Sequence, residues 1–332
     1  MLHSTKTRSG FTMIELTVVI GIIAALLALI IPAVQKVREA ASRLTCTHNL
    51  RQLVLAAINY DASYNSLPPG YLGPLAGGSE TPAPYQRAGS LAVLLPYLDQ
   101  NNLYKQLVNP SNPSLPFDFR IDVGTNPWYS NTADFGLAKT KLKLFVCPSD
   151  TPEANTRAVG LFVHWDGTGP NPEFIPNASG GALGRSNYVG VCGTAGSGGV
   201  WAKYEGVMGN RSQVRLSTLA LFDGASNTLM FGETLFSNDP GLDQPGVRHY
   251  AASWMGVGAG GTLFGMPDVT EPPWYCFSGR HVGGLVFAWA DGHVSFLRRG
   301  NTAIAGSPDW TLFQELAGYK DGAVTDSSSL GF

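Results

Sequence analysis

The chain has 332 residues and a formal net charge of -2 at pH 7, from 22 Lys and Arg against 24 Asp and Glu. Without a basic excess it offers nucleic acid no electrostatic footprint, and without a polybasic run it offers anionic lipid none. Charged residues make up only 14%, against about a quarter in ordinary globular chains, while 40 Gly and 22 Pro point to a turn-rich, strand-rich domain large enough for a substantial core.

Residues 8–32 read RSGFTMIELTVVIGIIAALLALIIP. Residues 11–31 carry one ionisable side chain, Glu15. As a helix rising about 1.5 Å per residue they would span ~32 Å, one bilayer core. Nothing downstream is apolar enough to cover a helix that is apolar on every side, so lipid is its expected surroundings. Lys6 and Arg8 form a short basic leader, 1–10, of the kind that stays cytoplasmic. Gly10 stands ahead of the apolar run, not behind it as in a cleaved secretory signal, so cutting there keeps the helix. A carboxylate at lipid depth is costly and calls either for a partner or for snorkelling to the interface.

The motif G-F-T-x-x-E-L followed by an apolar helix resembles the N terminus of type IV prepilins and of type II secretion pseudopilins. That resemblance implies that a prepilin peptidase cuts between Gly10 and Phe11 and that the new amino group of Phe11 is methylated. It further implies that Glu15 pairs with the N terminus of a neighbouring pilin-like subunit. The address it implies is the bacterial inner membrane, crossed once, with a cytoplasmic N terminus and a periplasmic or extracellular domain.

Pro32 is expected to bend the helix without ending it, because helical periodicity resumes at once and continues to residue 60. Val34, Val37, Ala41 and Leu44 suit neighbouring helices in a bundle. Leu50, Leu53, Val54, Ala57 and Ile58 suit packing on a domain. His48 reads as a surface or capping residue and not as a ligand. The four cysteines, Cys46, Cys147, Cys192 and Cys276, allow three pairings in an oxidising compartment, or remain as buried thiols. Cys46 to Cys147 is favoured, as a tie between helix and domain, with Cys192 and Cys276 bridged or free.

Residues 61–332 form the expected globular domain. Gly and Pro crowd 66–84, and LAVLLPYLDQNNLYKQL reads as a short helix containing a proline. Phe117, Phe119, Trp128, Tyr129 and Phe135 suit cover for a sheet better than a binding groove. From Thr140 on, strand signals dominate: KLKLFV, AVGLFVHW, SNYVGVCG, RLSTLALF, NTLMFGE, YAASWMGVG, LVFAWA and HVSFL. TLFQELAGY reads as a late helix. The expected class is α+β, a long N-terminal helix packed on a mainly antiparallel, pilin-like domain.

Taken together, RLTCTHNLRQLVLAAINYDASYNSLPPG, FVCPSD, SNYVGV, DGASNTLMFGE and FSGRHVGGLVFAWADGHVSFL resemble a large bacterial family of prepilin-type proteins of unknown function. Its C-terminal His-x9-Asp-Gly signature is matched by His281, Asp291 and Gly292. Asp-Gly between two strand-like runs predicts a hairpin over 285–297 with a type I′ turn, and His281 is expected to hydrogen-bond backbone or Asp291 at its base.

The same residues carry other chemical potential. Cys276, His281, Asp291 and His293 are metal-capable, but their spacing matches no closed zinc pattern, so no metal site is assigned. Ser278, His281 and Asp291 lack a nucleophile-elbow context, so no catalytic residue is assigned and no enzyme is expected. Calcium is the one cofactor kept open, with Asp223, Asp239, Asp243 and Glu233 as oxygen donors in loops that copy no known calcium motif. Two functions follow. One is a processed, methylated subunit that assembles through its helix into a type IV pilus or secretion filament. The other is an anchored module whose loops, with Trp128, Trp165, Trp201 and Trp274, capture a glycan or peptide. Exposed tryptophans gathered in one groove would favour the second, and scattered buried ones the first.

Overall fold

The structure is a computed structural model that describes residues 11–73, 85–109, 112–116, 127–152, 158–165, 170–176, 183–194, 199–239, 241, 248–323 and 327–331. The leader and Gly10 lie outside it, as do Phe117, Phe119 and Asp243 and the side chain of Trp165.

Helix α1 (Met13–Tyr64) runs 52 residues, through Pro32 and four residues beyond the expected end. Its start is a capping box. The Thr12 hydroxyl accepts the Glu15 N–H at 3.2 Å, and Glu15 Oε2 accepts the Thr12 N–H at 2.9 Å and its hydroxyl at 2.8 Å. The chain divides into two compact units, Met1–Ser42 and Arg43–Phe332. In the first, every side chain of 11–31 is exposed, and the helix is long and apolar enough to cross a membrane.

The second unit begins inside α1. Cys46, Asn49, Leu50, Leu53, Val54, Ala57 and Tyr60 recur at three- and four-residue steps and are all buried, which makes this half of the helix a wall of the core. LAVLLPYLDQNNLYKQL is not one helix. It breaks into α2 (Ser90–Val93), a 3₁₀ turn at Leu95–Tyr97 and α3 (Asn101–Tyr104). Pro96 offers no N–H to continue α2, and Asp99 at φ 57° reverses the backbone before α3.

Three sheets follow among the described residues. Strands β1 (Val108–Asn109) and β2 (Asn112–Pro116) form a hairpin, and α4 (Thr132–Leu137) comes after them. The remaining strands are β3 (Ala158–Trp165), β4 (Pro170–Pro176), β5 (Arg185–Ser186), β6 (Tyr188–Val191), β7 (Leu229–Glu233), β8 (Tyr250–Ser253), β9 (Ala259–Gly260), β10 (Gly284–Trp289) and β11 (Val294–Arg298). They form a five-stranded sheet, β11-β10-β7-β6-β9, and a four-stranded one, β4-β3-β8-β5. Among the described strands only β3–β8 and β6–β9 pair in parallel. This is an α+β fold. Central strands β6, β7 and β10 are buried at every position, which is why YVGV, LMFGE and GLVFAW run apolar without alternating. Helix α6 (Pro308–Ala317), capped by Ser307, sets Phe313 edge-on to Phe287 at 5.7 Å.

Two expected strands are helical turns. KLKLFV forms a 3₁₀ turn at Lys143–Phe145, because Asn187 supplies its bonds: the Asn187 N–H donates to Phe145 O, and Asn187 Oδ1 accepts the Cys147 N–H. RLSTLALF carries α5 (Leu216–Leu219), whose first N–H is taken by Asp61. The β10–β11 hairpin pairs Leu285 with Leu297, but its turn is not type I′. Gly292 N–H donates to Trp289 O, Trp289 N–H donates to His293 O, and of the pair Asp291-Gly292 only Gly292 has positive φ, 97°. That is a type I turn closed by a glycine bulge, which takes one residue more than the two-residue loop.

Candidate functional site

The motifs that are scattered along the sequence meet at one buried polar cluster. Helix α1 brings Cys46 and Asn49. The turn after Phe145 brings Cys147 and Asp150. The start of β6 brings Asn187 and Tyr188, the end of β7 brings Glu233, and the segment entering β10 brings Arg280 and His281. Cys46 and Cys147 are joined as a disulfide, with Cα atoms 5.4 Å apart. His281 Nε2 lies 3.5 Å from Cys147 Sγ and 3.4 Å from Glu233 Oε1, and both side chains are buried. Glu233 Oε2 accepts the Val286 N–H at 2.9 Å, which fixes the carboxylate, while Oε1 has no hydrogen-bond donor among the described residues. Asn49 Nδ2 donates to Tyr188 Oη, and burial, then the charge of Glu233, push the Tyr188 phenol well above its usual range.

Beside it lies a second anchor. Arg248 grips Asp150 through two bonds, at 2.8 and 3.0 Å. Asn187 Nδ2 donates to Asp150 Oδ2 at 2.6 Å, and Arg280 bridges Asp150 to Glu271. Asp150 is thus a buried carboxylate with three side-chain donors, the arrangement that makes burial of its charge tolerable. Arg299 Nη1 donates to His281 O, holding the backbone that presents the imidazole.

His281 is therefore part of the wall around the disulfide, and Asp291 is not the partner expected for it. Asp291 Oδ1 takes the ring and the N–H of His293 instead, at 2.6 and 3.0 Å, because the bulged turn folds that carboxylate back onto its own strand. Gly292 sits at the turn, where an added Cβ would reach Leu55 and Ile58 of α1. Cys192 and Cys276 are unbridged and buried, and burial pushes the Cys276 thiol up to about 12. The Ser278 hydroxyl accepts the Leu235 N–H and donates to Cys276 O. The carboxylates named for calcium are dispersed: Asp223 caps the Asp321 and Gly322 N–H groups, Asp239 accepts from Tyr250, and Glu233 belongs to the cluster. Trp128 is buried against Phe135, Trp274 is buried at a small apolar cavity with Phe236 and Phe277, and Trp201 is partly exposed against Trp310. Phe11 and Glu15 are exposed at the start of α1, and His48 is exposed and bonded to Gln52.

Comparison with protein families finds one model, described as a protein of unknown function (DUF1559), that matches residues 35–301. The chain belongs to that family. The match covers the disulfide wall and its anchor, from Cys46 to His281, and begins after the G-F-T-x-x-E-L motif. No curated protein matches the chain, and no solved structure does.

Proposed function

We propose that the protein is a pilin-like structural subunit, cut between Gly10 and Phe11 by a prepilin peptidase and assembled through its N-terminal helix into a type IV pilus or secretion filament. The observation that carries this reading is the apolar stretch of α1, exposed at every position from residue 11 to 31 and opening on the prepilin-type motif. Lipid covers it in the monomer, and other copies of the helix cover it in the filament. The partners are the peptidase, further pilin-like subunits and the bacterial inner membrane, with the second unit held outside it. Assembly by helix packing calls on no cofactor, no calcium, no nucleic acid and no catalytic residue. The dispersed, mostly buried tryptophans weigh against a binding groove as the main purpose of the domain.

The capping box sharpens the test. Among the described residues Thr12 gives Glu15 hydrogen bonds but no countercharge. In the filament the methylated amino group of a neighbour's Phe11 supplies it. Glu15→Gln keeps the cap and removes the charge, and Glu15→Ala removes both. Both variants should insert and be processed, and both should lose filament incorporation in a shear-fraction assay. If Glu15→Gln assembled like the wild type, Glu15 would be only a helix cap.

A further inference from the structure

We infer that Cys46, Cys147, His281 and Glu233 form a zinc site when the two cysteines are reduced, so that disulfide and metal are alternative occupants of one cluster. The inference rests on the geometry of the second unit alone and is independent of filament assembly.

The four donor atoms, two Sγ, one imidazole nitrogen and one carboxylate oxygen, lie within 4.8 Å of one another, and all four residues are buried. A tetrahedral site with arms of about 2.0 to 2.3 Å has edges of roughly 3.3 to 3.8 Å between donors. Two of the separations that involve His281 Nε2, 3.5 Å to Cys147 Sγ and 3.4 Å to Glu233 Oε1, already have that size. A disulfide alone has no need of either neighbour, since apolar side chains pack against it at lower cost than a buried carboxylate and imidazole. The Oε1 atom of Glu233 is buried and makes no hydrogen bond among the described residues, and with His281 Nε2 3.4 Å away it points to an occupant the disulfide does not provide. Outer contacts hold two of the ligands. Val286 N–H holds the other carboxylate oxygen, and Arg299 holds the backbone of His281.

The sequence concealed this because the ligands come from four motifs up to 235 positions apart, Cys46 to His281. Two metal-capable residues that follow His281 in sequence, Asp291 and His293, pair with each other. A dithiol reductant passes two electrons and two protons to the Cys46–Cys147 bond, becoming a disulfide and leaving two thiols. Zinc binding then displaces both thiol protons to solvent, leaving two thiolates, one carboxylate and neutral imidazole around the divalent ion. Softness of the sulfur pair selects zinc over calcium or magnesium.

The test uses the full chain in detergent, reduced with a phosphine, freed of reductant anaerobically and titrated with Co²⁺ as the probe. One Co²⁺ per chain is expected, with the visible bands of tetrahedral cobalt and a thiolate charge-transfer band, both erased by one equivalent of Zn²⁺. The oxidised chain should show neither band. His281→Ala and Glu233→Gln should each weaken binding at least tenfold, and Cys192→Ala/Cys276→Ala should leave it intact. The inference is overturned if the reduced chain takes up no cobalt, if it stays unfolded by near-ultraviolet circular dichroism with metal present, if His281→Ala binds like the wild type, or if the Cys192/Cys276 variant loses the bands.

Discussion

Charged side chains that no motif flags are set by their burial. Asp321 is one: its Oδ1 accepts the Ala323 N–H, but burial and then the repulsion of Asp223 and Glu315 outweigh that bond and the nearby Lys203, pushing its carboxyl from 3.8 up to about 6. A carboxyl that holds its proton more tightly folded than unfolded gives stability that is fully present below about pH 4 and lost as pH rises through about 6. Asp321→Asn keeps the acceptor and removes the charge. Its melting temperature should equal the wild type's near pH 4 and exceed it by a growing margin to about pH 7, read by calorimetry across that range. A margin that did not change with pH would mean the carboxyl is not titrating there. Asp150 is a buried carboxylate held by side-chain donors, and its place in FVCPSD gave no hint that Arg248, 98 positions away, would grip it.

Elements were legible where local pattern and tertiary demand agree. The second half of α1 was readable because Leu50, Leu53, Val54 and Ala57 repeat at helical steps and are the residues the core buries. The β10–β11 hairpin was readable because Asp-Gly stands between two apolar runs. Its turn was misread because one residue more is needed to close Trp289 onto His293, so positive φ falls on Gly292 alone. Gly292→Ala should therefore cost about 1 to 2 kcal/mol, the penalty of a left-handed L-residue, and lower the melting temperature by a few degrees. Asp291→Ala, which removes the bond to the His293 N–H but forces no backbone conformation, should cost less. If thermal scans ranked them the other way, the bulge would not be the element that sets the turn. KLKLFV and RLSTLALF failed for a different reason. Short apolar runs do not distinguish strand from turn, and the bonds from Asn187 and Asp61 that decide them arrive from far along the chain. The same holds for the disulfide wall, whose words were visible one by one while their meeting point was a property of the fold.

The whole molecule is two units with two different surroundings. No residue of 11–31 is buried within the chain, whereas the second unit closes its own core around Leu50, Leu53, Phe231, Phe287 and Phe313. The boundary falls between Ser42 and Arg43, three residues before Cys46. A fragment that starts at Arg43 keeps the buried face of α1 and the bridge, and so should be soluble without detergent, unfold cooperatively and yield the Cys46–Cys147 peptide in a non-reducing digest. The full chain should need detergent. The bridge closes a separation of 101 residues, for which the chain-entropy argument gives roughly 4 to 5 kcal/mol. Reduction of the metal-free fragment should remove most of that from its unfolding free energy in urea. With zinc present the loss should shrink, because an ion that binds only the folded dithiol stabilises it by mass action. A fragment that aggregated, or whose stability ignored reduction, would show that residues 43–64 are held in place by the membrane-side half of the helix and not by the domain they enter.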